Sequence, residues 1–254
     1  MFWDCMTPVI TTRLQRAVDA GYSLFEPYRL TGTIIHCSCP VCMTSEVAEE
    51  LSTLPLREIS SELLAEYTNS AHGNNGGRAE PEFKHFLPRY LDLIAQCEPP
   101  SPLGLETCLT RLRGYRKAWP EAECHVLDEF FDAFAEASVQ QSELLEWPVG
   151  YRLAFDLGAV LVMVVEAGGD LDRVLATIDA AESPLTAVHL ASLRLEIRER
   201  ARGPVYKNAY LEDHPKVAAK IGAWLRRESV TARILNAAGQ TGDQAYDAIL
   251  DLAV

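Results

Sequence analysis

Three thiols fall within one short stretch of the chain, His36-Cys37-Ser38-Cys39-Pro40-Val41-Cys42. Thiolates are preferred zinc ligands, at about 2.3 Å from the ion, and the two-residue spacer lets Cys39 and Cys42 turn both sulfurs toward one centre. Tetrahedral closure needs two more donors. Cys37 or His36 supplies a third, and His72, His85 or Cys5 could bring the fourth from elsewhere in the chain. The metal-ligand set read from the sequence is therefore Cys37, Cys39, Cys42, His72 and His85, with zinc or iron as the cofactor. A full structural zinc site usually shows two ligand pairs in sequence, and only one is plain here. Two other readings stay open. A redox Cys-x-x-Cys would be expected at a helix N-terminus in a βαβ setting, which the helical surroundings do not supply. Small, soft residues packed in a loop without any ligand are the plainer alternative.

Each histidine also has an ordinary reading. His72 stands at a polar helix end, Tyr67 to Gly73, where it either binds a metal or caps the helix C-terminus. His85 precedes the apolar pair Phe86-Leu87, which suits a half-buried core histidine as well as a ligand. The other cysteines, Cys97, Cys108 and Cys124, fall within expected helices on or near apolar faces and read as core. No G-x-S-x-G, P-loop or H-E-x-x-H pattern occurs. Paired carboxylates such as Glu121/Glu123 and Asp128/Glu129 lie on charge-rich helices, where a solvated face is the usual meaning. Catalysis thus has support only through a metal.

The elements that must position these residues are helices. Leu14, Val18, Tyr22 and Phe25 form an amphipathic stripe over 11–25, ended by Pro27. Thr33-Ile34-Ile35 is the only β-like run, leading into the thiols. Thr44 or Ser45 caps a short helix through Leu51, and Ser60-Ser61-Glu62 opens another that should stop near His72-Gly73, before the loop Asn74 to Gly77. Pro81 begins a broad apolar face running to Ile94, with Pro88 set to bend it. Further helices are expected over 105–118, 120–139, 151–167, 171–181, 184–201, 215–227, 230–238 and 243–252. The fold class is all-α, an irregular array of antiparallel helix hairpins of the HEAT or armadillo kind, although no fixed repeat period is visible. The run Glu98-Pro99-Pro100-Ser101-Pro102 divides an N-terminal helical subdomain, 1–98, from a C-terminal helical array, 103–254.

Composition bounds the partners. A net charge of -13 disfavours any general grip on nucleic-acid phosphates and suits docking onto a basic protein. The most apolar stretch, Leu157 to Val165, is about half of a membrane span. No basic n-region precedes an apolar core at the N-terminus, so a cytoplasmic location, no membrane partner and reduced thiols are expected.

Several segments taken together resemble a family of bacterial proteins known as uncharacterised open reading frames. They are Cys39-Pro-Val-Cys42, Pro55-Leu-Arg-Glu58, Glu66-Tyr-Thr-Asn-Ser-Ala-His-Gly73, Phe86-Leu-Pro-Arg-Tyr90, Trp119-Pro-Glu121 and Ala223-Trp-Leu-Arg226. The resemblance implies a cytosolic, mainly helical protein with a thiol-rich segment ahead of the Leu-Arg-Glu stretch, and it leaves activity open. Two functions follow from the whole sequence. One is a protein-interaction module with an acidic helical surface, such as the immunity or adaptor member of a bacterial pair. The other is a metal-dependent enzyme or sensor built on the Cys37 to Cys42 segment.

Overall fold

Hydroxyl and carboxylate side chains start many of the helices by accepting the N–H groups that a helix N-terminus leaves without an internal partner. Thr11 Oγ1 accepts from Leu14 N at 3.1 Å, Ser60 Oγ from Leu63 N at 3.2 Å, Ser183 Oγ from Leu185 N at 3.2 Å and Asp243 Oδ1 from Ala245 N at 2.8 Å. The computed structural model describes residues 7–37, 39–71, 79–148, 150–201 and 203–253. In chain order the elements are α1 (Thr12–Phe25), α2 (Ser45–Thr53), α3 (Ser61–Asn69), α4 (Ala79–Ala95), α5 (Tyr115–Ala118) and α6 (Glu121–Ser138), then β1 (Leu144–Trp147) and β2 (Gly150–Leu153). There follow α7 (Leu157–Ala167), α8 (Leu171–Ala180), α9 (Pro184–Arg194), β3 (Ile197–Arg200), β4 (Gly203–Tyr206), α10 (Pro215–Leu225), α11 (Glu228–Ala237) and α12 (Gln244–Leu252). The chain is mostly helical, with two small antiparallel hairpins, β1–β2 and β3–β4.

The hairpins correct the expectation of helices alone. The helix expected over 151–167 begins only at Leu157, because Tyr151 and Leu153 pair with Glu146 and Leu144. Asp156 Oδ1 then receives Gly158 N at 2.8 Å and turns the chain into α7. Likewise α9 ends at Arg194, and Ile197 and Arg200, expected to continue it, pair with Tyr206 and Gly203. The helix expected over 105–118 is two 3-10 turns, Leu105–Thr107 and Thr110–Leu112, followed by α5. Gly104 and Gly114, at φ of +100° and +87°, adopt the left-handed region and break the run on either side. Thr33 to Ile35 is not a strand, although Ile34 is buried. The hairpins also interrupt the succession of helix pairs that a HEAT or armadillo array requires.

Two compact units share the described chain. One holds 7–134 and 163–171, the other 135–162 and 172–253, so the run Glu98 to Pro102 lies inside the first. In the first unit α1 packs along α4, and Tyr22 donates its hydroxyl to Asp92 at 2.9 Å. Arg89 ties the same carboxylate to the chain before α3, reaching Asp92 Oδ2 at 2.9 Å and Ile59 O at 2.7 Å. Tyr67 of α3 lies against Phe86 of α4, with ring centroids 4.7 Å apart. Lys84, 4% exposed, sits 4.2 Å from the Trp119 ring centroid and pairs with Glu123 at 2.8 Å and Glu80 at 2.9 Å. In the second unit α10 lies on β4 so closely that a Cβ on Gly222 would meet Pro204 O at 2.5 Å. Its α9 packs against α11 and α12. His189 of α9 is fully enclosed, with Nε2 at 2.9 Å from Gln141 O. Among the described residues no helix is long and apolar enough to cross a membrane.

Candidate metal centre

The thiol loop is held between the start of α2 and the end of α3. Thr44 caps α2, and α3 stops at Asn69, with Ser70 extended and its N–H still bonded to Glu66 O. Ser70, 5% exposed, accepts Met43 N on its hydroxyl at 2.7 Å and donates that hydroxyl to Glu66 O at 2.8 Å. Ala71 then bonds both arms of the loop through its main chain. Its carbonyl accepts Cys37 N at 2.9 Å, and its N–H donates to Cys42 Sγ at 3.3 Å. Within the loop a turn bonds Cys42 N to Cys39 O at 3.2 Å, and Cys39 N donates to Cys37 Sγ at 3.4 Å.

These constraints gather the three thiols, whose Sγ atoms all lie within 4.8 Å of one another, with Cys39 and Cys42 at 3.4 Å. Tetrahedral thiolates at about 2.3 Å from an ion stand about 3.8 Å apart, so the loop needs only small side-chain adjustments to meet a metal. Its electrostatics favour the thiolate form at one position. The Val41 N–H, then the Cys37 and Cys42 side chains, hold the Cys39 thiol down to about 7. Cys37 moves the other way. The Cys39 N–H lowers it, but hydrogen bonding with the Cys39 and Cys42 side chains and partial burial outweigh that. Cys39 is exposed, while Cys37 and Cys42 are half-buried.

The structure places the other candidates differently. His85, on α4, has Nδ1 at 3.1 Å from Tyr28 O and its ring edge-on to Phe86, and burial pushes its pKa down. Among the described residues the cluster that could hold a metal contains the three cysteines and not His85. His36 turns Nδ1 toward Cys37 O at 3.0 Å. His72 and Cys5 lie outside the described residues. Cys97 and Cys108 are buried and Cys124 half-buried, with burial pushing the Cys108 thiol well up, as expected of core positions.

One residue of the surroundings escaped the sequence reading. Arg111, from the 3-10 turn Thr110–Leu112, donates Nη2 to the α3 terminal carbonyls of Tyr67 at 2.8 Å, Ser70 at 3.0 Å and Thr68 at 3.4 Å. Its guanidinium also lies 4.5 Å from the Tyr67 ring centroid. A cation is favoured where a helix dipole ends and carbonyls lack partners. No local signal marks Arg111, because its partners lie more than forty positions back in the chain.

Fold and site together define a mostly helical protein that carries a three-thiol, metal-competent loop near its N-terminus. No protein-family model matches the chain, and no curated protein or solved structure matches it either.

Proposed function

We propose that the protein is a metal sensor whose ion is held by Cys37, Cys39 and Cys42, with His72 as the fourth donor. The convergence of three sulfurs within 4.8 Å carries this reading. Ala71, the residue before His72, already bonds Cys37 and Cys42, which favours His72 over His85, whose ring nitrogen faces Tyr28 O. Three thiolates and an imidazole suit zinc; iron is the other metal such ligands hold. An accessible site on a loop suits reversible loading more than a permanent structural ion. Protein prepared without a histidine tag and loaded with zinc should retain one equivalent, with X-ray absorption showing three sulfurs and one nitrogen. An oxygen in the fourth position would remove His72 from the ligand set and, where that oxygen is water, favour an enzyme with an open coordination place. Failure to retain zinc or iron would refute the proposal.

A second reading rests on the net charge of -13, which favours a basic protein partner, as for an immunity or adaptor protein. A pull-down from the native host that yields no stoichiometric basic protein would refute it.

A further inference from the structure

Cys39 and Cys42 stand in a geometry that fits a second role for the same loop. Their sulfurs are 3.4 Å apart and Cys39 is open to solvent. A disulfide needs about 2.05 Å between sulfurs, so bridging asks for a closure of about 1.4 Å within one turn of chain. Cys37 is placed for a different task, since its sulfur accepts the Cys39 N–H, and a bridge to Cys39 would have to close across a single residue. Cys42, half-buried and steadied by the Ala71 N–H, is positioned to wait as the resolving thiol.

We infer that the loop is a hydroperoxide-oxidised thiol switch in which a Cys39–Cys42 disulfide forms and expels the metal. The exposed Cys39 sulfur attacks one oxygen of a hydroperoxide. An S–O bond forms, the O–O bond breaks, and the departing alkoxide takes a proton to become an alcohol, or water if the oxidant is hydrogen peroxide. Sulfur has lost two electrons and the peroxide has gained them. Cys42 thiolate then attacks the sulfenic sulfur of Cys39. The S–S bond forms, the S–O bond breaks, and hydroxide leaves and is protonated to water. Two thiolates, one hydroperoxide and two protons from solvent thus give one disulfide, one alcohol and one water. The oxidised pair no longer offers thiolates, so the ion keeps only Cys37 and a fourth donor and departs.

The release half rests on the metal reading above; the disulfide half does not. The experiment therefore treats the full-length protein, both metal-free and zinc-loaded, with one equivalent of hydrogen peroxide. Intact mass and peptide mapping are followed beside a chromophoric zinc indicator. The expected result is a mass loss of about 2 Da mapped to Cys39–Cys42 in both samples, release of the zinc equivalent from the loaded one, and reversal by dithiol. Cys39→Ser should abolish the mass loss, whereas Cys37→Ser should leave it in place. A bridge through Cys37, or sulfinic acid at Cys39 with Cys42 still free, overturns the switch. A normal disulfide in protein that never retained zinc overturns the metal proposal and the release step while leaving the disulfide standing.

Discussion

Replacing Arg111 with alanine should weaken zinc binding although Arg111 touches no thiol. Its Nη2 donates to three carbonyls at the end of α3, at 2.8, 3.0 and 3.4 Å, and the next residue, Ala71, bonds both arms of the thiol loop. Because one nitrogen serves all three carbonyls, the contact counts as a single charge-assisted interaction of roughly 1.5–3 kcal/mol. The stacking over Tyr67 at 4.5 Å adds about 0.5–1 kcal/mol. The first unit should lose roughly 2–3 kcal/mol of stability, allowing for overlap between the two effects. Removing a direct hydrogen-bond partner of a metal ligand typically costs about 10–100-fold in affinity, and Arg111 acts one step further back, through Ala71, so the loss should lie near the lower end, about 10-fold or about 1.4 kcal/mol. Competition with a chromophoric chelator measures the affinity, and urea unfolding of the metal-free protein measures the stability. Arg111→Lys should fall between wild type and Arg111→Ala, since a point cation recovers the charge without the planar fork. An affinity within about twofold of wild type, beside a clear stability loss, would show that Arg111 caps α3 and does nothing for the site.

Four further outcomes are expected. Changing any one of Cys37, Cys39 or Cys42 to serine should lower zinc affinity by at least about 100-fold, and His72→Ala by roughly 10–100-fold, read by the same competition; an unchanged His72→Ala value would remove the imidazole from the site. His189, enclosed in the second unit, has its pKa pushed down by burial to about 4. Its unfolded form takes up a proton below about pH 6.5 while the folded form resists, so stability is full above that value and is lost as pH falls toward 4. From pH 7 to pH 5 the loss attributable to His189 should be about 2 kcal/mol, and urea titrations of His189→Gln should show that much less pH dependence. Lys84→Ala should destabilise the first unit by about 3 kcal/mol because Glu123 stays buried without its cation, held only by the Tyr28 hydroxyl; calorimetry giving under about 1 kcal/mol would contradict the pairing. Gly222→Ala should cost at least about 1–3 kcal/mol, since its methyl would meet the Pro204 and Val205 main chain, and an unchanged melting temperature would mean that α10 and β4 part easily.

Much of the helical content was legible because local rules and tertiary packing agree there. The stripe Leu14, Val18, Tyr22, Phe25 became α1, and Ser60 and Asp243 capped the helices expected behind them. Residues 151–153 and 197–200, where helix is expected, are strand, since Leu, Glu and Arg carry helix propensity and only pairing with 144–147 and 203–206 commits them to hairpins. The glycines that follow the turns, Gly150 and Gly203 at φ of +133° and +113°, were the available clue. At the site, the three sulfurs were readable from spacing alone, because a turn of chain suffices to gather them. Their support was not. The contacts of Ser70 and Ala71 with the thiol loop and of Arg111 with α3 join segments far apart in sequence, and the break at Gly114 that ends the Arg111 turn falls where the sequence predicts continuous helix.

Ala71 contributes to the thiol loop only its amide and its carbonyl, and its side chain is a methyl group. A scan that replaces each residue by alanine would therefore pass over one of the site's main supports without registering it. Most substitutions at this position would pass too, since all residues but one carry the same amide. Proline is the exception, and in this chain Ala71→Pro would delete the hydrogen bond to Cys42 Sγ while leaving every sulfur and histidine in place. The position most informative about the thiol loop is thus one whose chemistry is written in the backbone, where comparison of side chains has nothing to read.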